Sequence, residues 1–320
     1  MTKWLIGLLC LLLIVATIPV AVILFDTPTT PPVVATMAPP PDQIQRAFPV
    51  PSHFRARDGA SLQYYAYPGA PDKVAVLVHG SAGPGTSMHD LATALQAAGV
   101  TVYVPDIRGH GESGERGDIA YIGQLDDDLA DFVAQLGPAR NGESRTLLGF
   151  SAGAGFTIRF AGGPYGALFD RYVLLSPTTL SNAPTLRPNA GGWISVAVPR
   201  IIAIVWLNRI GIHWFDGFPV ISYAVSPEMA KSMTASYSFR LLNNFGAGRQ
   251  YEAFFKNIRR PAVIFVGTAD EQVIPDQFAP LLQRLGVNIP VTLVPNMRPT
   301  DMIHWLEALR VSVPAIAGQH

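Results

Sequence analysis

The chain opens on an apolar run from Trp4 to Phe25 that carries no charge. As a helix rising ~1.5 Å per residue, it would reach across the ~30 Å hydrocarbon core of a bilayer. It is longer than the ~7–15-residue apolar core of a cleaved leader. A small-x-small site appears only around Thr36–Ala38, well beyond it. The run therefore predicts a retained N-terminal membrane anchor, with secretion after cleavage as the alternative. Lys3 is the only charged side chain ahead of the run. The positive-inside tendency then places the rest of the chain outside the cytoplasm. Residues 27–52 follow, rich in proline (Pro28, Pro31, Pro32, Pro39, Pro40, Pro41), which predicts an extended spacer.

From His53 the period changes. Phe54–Arg57 and Leu62–Tyr67 flank Asp58-Gly59, a hairpin signal. Val74–Val78 is a continuous apolar run suited to a strand buried on both faces. Helical stretches over Asp90–Ala98, Leu125–Leu136 and Ala152–Phe160 alternate with strand-like runs Val102–Val104, Arg145–Leu148 and Tyr172–Leu175. That alternation predicts an α/β fold, a mostly parallel sheet with helices on both faces. The rhythm breaks at about 178–258, an apolar and mostly helical stretch. It resumes with strand Ala262–Val266, helix Asp276–Leu285 and strand Val291–Val294. An insertion after the sixth strand reads as a helical cap over the carboxyl ends of the strands, where open α/β sheets bind ligands. The expected organisation is an anchor or signal at 1–26, a linker at 27–52 and one folded domain at 53–320.

Composition narrows the function. The 320 residues hold 23 basic and 23 acidic side chains, so no basic surplus points to nucleic acid. Cys10 is the only cysteine, so the domain has no disulfide of its own. No histidine or cysteine cluster has metal-ligand spacing, and no metal or organic cofactor is expected.

Gly149-Phe150-Ser151-Ala152-Gly153 follows the strand-like run Arg145–Leu148 and fits G-x-S-x-G. The pattern describes a nucleophile elbow, with the serine on a sharp strand-to-helix turn. Small residues are needed beside it; an ordinary strand-to-helix turn is the alternative for these five residues alone. A serine needs a base and an orienting acid. Asp270 lies in the loop after Ala262–Val266, where such an acid belongs. Glu271 is the next carboxylate, and a capping role for Asp270 stays open. His304, after the last strand, is the candidate base. Asp301 is close to it in sequence but less suitably placed than a residue at a preceding strand end. The loop His79-Gly80-Ser81-Ala82-Gly83 supplies an oxyanion donor, taken to be the Ser81 N–H, with the Ala152 N–H as the second. His79 and Gly80 support the loop. In the cap, Trp193, Trp206 and Trp214 suggest either a packed cap core or an apolar substrate face.

Val78-His79-Gly80, Asp106–Ser113 (D-x-R-G-H-G-x-S), the elbow, Gly267–Pro275 and His304 occur in an order that resembles the α/β-hydrolase superfamily. The resemblance is to its monoacylglycerol lipase, lysophospholipase and serine aminopeptidase-like branch. It implies a serine hydrolase with Ser151, Asp270 and His304 as nucleophile, acid and base, acting on an ester that is lipid-derived. Peptide or amide cleavage, acyl transfer, and a non-enzymatic binding module on the same fold are the alternatives. In that family Asp106–Ser113 is a structural turn.

Overall fold

A computed structural model describes residues 17–33, 47–179 and 183–317. Residues 17–25 form the first helix, α1. Strand β1 (Ser52–Arg55) turns through Asp58-Gly59 into β2 (Ser61–Tyr67), its antiparallel partner. Gly59 takes a φ of 87°, which the turn requires and glycine permits. The chain then alternates: β3 (Ala70–Val78), α2 (His89–Ala97), β4 (Val100–Pro105), α3 (Gln124–Gln135), β5 (Ser144–Phe150), α4 (Ala152–Ala161) and β6 (Arg171–Leu175).

The cap follows β6. It holds β7 (Ile194–Val196), α5 (Val198–Arg209), β8 (Pro219–Tyr223), β9 (Ser236–Ser238), α6 (Phe239–Asn244) and α7 (Tyr251–Asn257). Its three strands form a separate antiparallel sheet, ordered β7-β8-β9. The apolar stretch that suggested helices alone therefore also carries a small sheet. The chain re-enters the main layer with β10 (Ala262–Gly267), α8 (Phe278–Leu285), β11 (Val291–Val294), α9 (Asp301–His304) and α10 (Leu306–Ala317).

The main sheet is ordered β1-β2-β4-β3-β5-β6-β10-β11, and β4 through β11 run parallel. Its central strands are buried on both faces, as the unbroken apolar runs predicted. Val76, Val78 and Leu147 face Phe132 and Phe156 of α3 and α4. Ala75, Leu77 and Leu148 face Leu91 and Leu95 of α2 and Leu309 of α10. Two cores therefore clamp one sheet, and the loops at its carboxyl edge are carried on rigid supports.

The expected membrane anchor is overturned. Among the described residues no helix is long and apolar enough to cross a membrane. The part of the run that is described, α1, instead packs on the cap. Ile23 is fully buried with Ala203, Ile204, Leu207, Val220 and Phe239. Asp26 Oδ2 accepts the Arg200 N–H at 3.0 Å, serving a donor in the first turn of α5 that has no partner within its helix. The placement of the domain outside the cytoplasm rested on that anchor and falls with it. Lys3, Cys10 and Trp4–Ala16 lie outside the described residues, as do 34–46 of the proline-rich stretch.

Candidate active site

Strand β5 runs directly into Ser151, which has φ 52° and ψ −119°. Residues with a β-carbon avoid this region. Four main-chain bonds hold it there. The Ser151 N–H donates to Leu175 O at 2.9 Å. Ser151 O accepts from the N–H groups of Ala154, Gly155 and Thr178. The flanking glycines are fixed by close approach. A β-carbon on Gly149 would lie 2.3 Å from Gly153 O, and one on Gly153 would lie 2.2 Å from His79 O. Strand, helix and the loop after β3 thus meet at backbone contact around this serine.

That loop carries one of the expected oxyanion donors, Ser81, and the other, Ala152, opens α4. Among the described residues neither the Ser81 nor the Ala152 N–H donates to a main-chain carbonyl. Ala152 opens α4, where an N–H has no acceptor within the helix. The loop is fixed from below by His79, which is fully buried. Its Nδ1–H donates to Gly80 O at 2.9 Å, and Nε2 accepts the Ile107 N–H at 3.1 Å. Burial lowers the His79 pKa, so the ring stays neutral and both nitrogens are occupied. From above the cap holds the next residue. The Ala82 N–H donates to Tyr237 Oη at 2.6 Å, and Ala82 O accepts from Thr234 N at 2.8 Å. Tyr237 in turn meets Nε2 of the buried, neutral His110. Sequence reasoning missed Tyr237, because nothing in its local pattern marks a cap tyrosine as a loop clamp. Asp106 accepts from Gly85 N, Gln63 Nε2 and Glu112 N, so the run Asp106–Ser113 is a structural turn here too.

Asp270 stands after β10, at 2% exposure. Its Oδ1 accepts the N–H groups of Gln272 and Val273 at 2.8 and 2.9 Å. Its Oδ2 is buried and, among the described residues, makes no hydrogen bond. Burial holds this carboxyl above the usual range, against the pull of the two N–H donors and of the nearby Ser176 hydroxyl. His304 closes α9, and the structure does not bring it to Asp270. Nδ1 of His304 lies 2.8 Å from Oδ2 of Asp90, with the two side chains 6% and 11% exposed. The reason is packing: α9 and α10 both lie against α2, which presents Asp90 in its first turn. The pair is 214 residues apart in sequence, so spacing offered no signal for it. The other two carboxylates weighed for the acid are engaged nearby. Glu271 pairs with Arg298, and Asp301 accepts the Arg298 N–H.

Ser151 opens onto a cavity of only about 30 Å³, bounded by Ser81, Trp193, Ile221 and Phe245. Two larger cavities flank it. One, of about 250 Å³, shares Ser81 and Trp193 with it and holds Gly80, Phe150 and His304. The other, of about 430 Å³, lies in the cap and shares Leu186, Ile194 and Ile221. Trp193 Nε1 donates to Ser81 Oγ at 3.0 Å, so this contact partitions nucleophile from base. Of the three cap tryptophans only Trp193 lies here. Trp206 packs in the cluster around Ile23, and Trp214 stands 84% exposed, so neither lines these cavities. Among the described residues no group of histidine, cysteine and carboxylate side chains could hold a metal.

A strained elbow serine on a doubly covered parallel sheet, lining one cavity with Ser81 and Ala152, defines an α/β-hydrolase. The profile of the serine aminopeptidase, S33 family matches residues 69–298, and the chain belongs to that family. A monoacylglycerol lipase of Mycolicibacterium smegmatis is 36% identical over 110 residues, spanning 33% of this chain and 38% of that protein. The crystal structure of Paleococcus ferrophilus monoacylglycerol lipase superposes with a TM-score of 0.60 at 20% identity, covering 81% of this chain and 99% of that one. A soluble variant of Saccharomyces cerevisiae monoglyceride lipase, in complex with a substrate analog, gives 0.64 at 18% identity, covering 88% and 97%. At these identities the two structures establish the fold.

Proposed function

We propose that the chain is a serine hydrolase of carboxylic esters, lipid-derived ones in particular, working through an acyl-enzyme on Ser151. The observation that carries this is the seating of Ser151: a strained, hydrogen-bonded backbone beside the Ser81 and Ala152 N–H groups. The resemblance to two monoacylglycerol lipases supports the ester class.

The Ser151 oxygen attacks the ester carbonyl and forms the acyl C–O bond. His304 takes the serine proton on Nε2 while a carboxylate holds Nδ1. The oxyanion sits on the two N–H groups. The alcohol C–O bond then breaks, and His304 returns the proton to the leaving oxygen. Water, deprotonated by the same ring, adds to the acyl carbonyl and frees the acid and Ser151. In the structure the carboxylate on Nδ1 is Asp90. Parting of Trp193 from Ser81 joins the two cavities and gives His304 access to Ser151. Asp270, which the order of motifs assigns to this post, here closes its own loop through Oδ1.

A second reading, a binding module that does no chemistry, draws on the buried Oδ2 of Asp270, which makes no hydrogen bond among the described residues. Labelling the protein with a fluorophosphonate separates the two, because the probe needs an activated serine and no knowledge of the substrate. The expected result is labelling of the wild type and none of Ser151→Ala. A folded wild type that stays unlabelled, with detergent present to loosen the cap, would favour the binding module.

A further inference from the structure

The cap cavity beside Ser151 combines an aliphatic wall with two unopposed cations. Beyond the residues shared with the Ser151 pocket, Val196, Val198, Ile201 and Leu242 line it. At its solvent side stand Arg187 and Arg249, both exposed, and no aspartate or glutamate lines it. Arg187 is held in place by its Nε, which donates to Val273 O at 3.0 Å, and by its own N–H on Gln272 O. Among the described residues its terminal nitrogens have no hydrogen-bond partner. Among the described residues neither guanidinium has a carboxylate partner. Some other surface arginines are paired, as Arg57 is with Asp131 and Arg284 with Glu252.

The reaction decides which half of an ester lies there. The leaving alcohol has to receive its proton from His304. His304 lines the other cavity, where the hydroxyl side chains Ser87, Ser232 and Thr300 stand beside Phe48, Met233 and Ile303. The alcohol therefore occupies that side, and the acyl group extends into the cap cavity. Its chain runs along Leu186, Ile194 and Ile221, and its far end reaches the solvent side. Guanidinium groups there suit a carboxylate or phosphate, which they bind through paired N–H donors.

We propose that Arg187 and Arg249 form an anion subsite for the distal end of the acyl group. The preferred substrates are then esters of acids that carry a second anionic group, half-esters of long dicarboxylic acids being the simplest case. This rests on ester hydrolysis at Ser151.

The test compares the mono-p-nitrophenyl ester of sebacic acid with p-nitrophenyl decanoate, of equal chain length. The wild type should favour the half-ester in kcat/KM by about tenfold, roughly 1.4 kcal/mol, and rising salt should erode the preference. In Arg187→Ala/Arg249→Ala the ratio should fall to about one through a higher KM, and the double lysine variant should restore part of it. Equal or better use of decanoate by the wild type would overturn the proposal, as would loss of both activities in the same proportion. Binding of sebacate to the Ser151→Ala protein, followed by calorimetry, reads the subsite without chemistry. Salt-sensitive binding that the alanine pair abolishes supports the subsite, and absence of binding overturns it. If sebacate binds while fluorophosphonate does not label, the subsite stands and the hydrolase reading is the one that fails.

Discussion

The two halves of the site share one sheet edge but are held in place by different means. The nucleophile half is fixed by backbone: Gly149 meets Gly153 O, and Gly153 meets His79 O in the loop after β3, at distances that exclude a β-carbon. The base half is fixed by side chains. His304 has settled on Asp90, while Asp270 keeps one buried oxygen that makes no hydrogen bond among the described residues. A backbone junction has one arrangement. A histidine within reach of α2 can choose its carboxylate by packing, and α9 and α10 make that choice here.

The largest effect should come from breaking the rigid half. Gly153→Ala puts a methyl group 2.2 Å from His79 O and 2.6 Å from Val78 O, both main-chain atoms that cannot step aside. The expected result is loss of soluble folded protein, or a domain destabilised by at least ~3 kcal/mol with no fluorophosphonate labelling. A variant with wild-type melting and labelling would show that the junction is looser than its contacts imply.

Next comes the choice of carboxylate. Asp90→Asn leaves a neutral group on Nδ1 and no longer stabilises an imidazolium. Loss of the orienting carboxylate in such a site costs up to about 10⁴-fold in kcat. We expect Asp90→Asn to lower kcat by about 10²-fold or more and Asp270→Asn to cost far less. The reverse order, measured on one p-nitrophenyl ester, would mean that the ring leaves Asp90 for Asp270 during turnover.

The same contrast governs what was legible in the sequence. The elbow, the oxyanion loop and the alternating strands and helices are local patterns, and each appears where periodicity and glycine placement put it. Asp90 was not legible, because its partner is brought to it only by the packing of α9 and α10 on α2. The clamp of Tyr237 on Ala82 and the burial of Ile23 against α5 are likewise contacts between distant segments. Hydropathy reads Trp4–Phe25 as one apolar run, but it cannot say whether lipid or a cap helix covers it. In the cap, Trp193, Trp206 and Trp214 look alike in sequence and end up beside the nucleophile, in a cluster around Ile23 and in solvent.

A smaller effect concerns stability. Burial raises the Asp270 pKa above its unfolded value near ~3.9. The folded state therefore binds this proton more readily than the unfolded state does. The group's contribution to stability then falls as pH rises from the unfolded value through the folded one, and the full penalty is present at neutral pH. Asp270→Asn keeps an acceptor for Gln272 and Val273 while removing the charge. Its melting temperature should exceed that of the wild type at neutral pH. The gain should shrink as pH falls through the folded value and be lost below the unfolded one, where the carboxyl is protonated in both states. An equal shift at neutral pH and below the unfolded value would rule out the buried charge as its source.

The finest test addresses the partition between the halves. Trp193→Phe keeps an aromatic ring against Tyr223 but cannot donate to Ser81 Oγ. The lost bond is worth ~1 kcal/mol, so opening of the partition should become easier by about fivefold at most. If the partition keeps His304 from Ser151, the rate of fluorophosphonate labelling should rise within that limit, while the melting temperature drops slightly. A slower rate would assign the bond the opposite role, that of aiming the Ser81 N–H at the oxyanion. Comparing labelling with ester turnover then locates the effect. An open partition speeds both, whereas a misaimed donor slows turnover more than labelling.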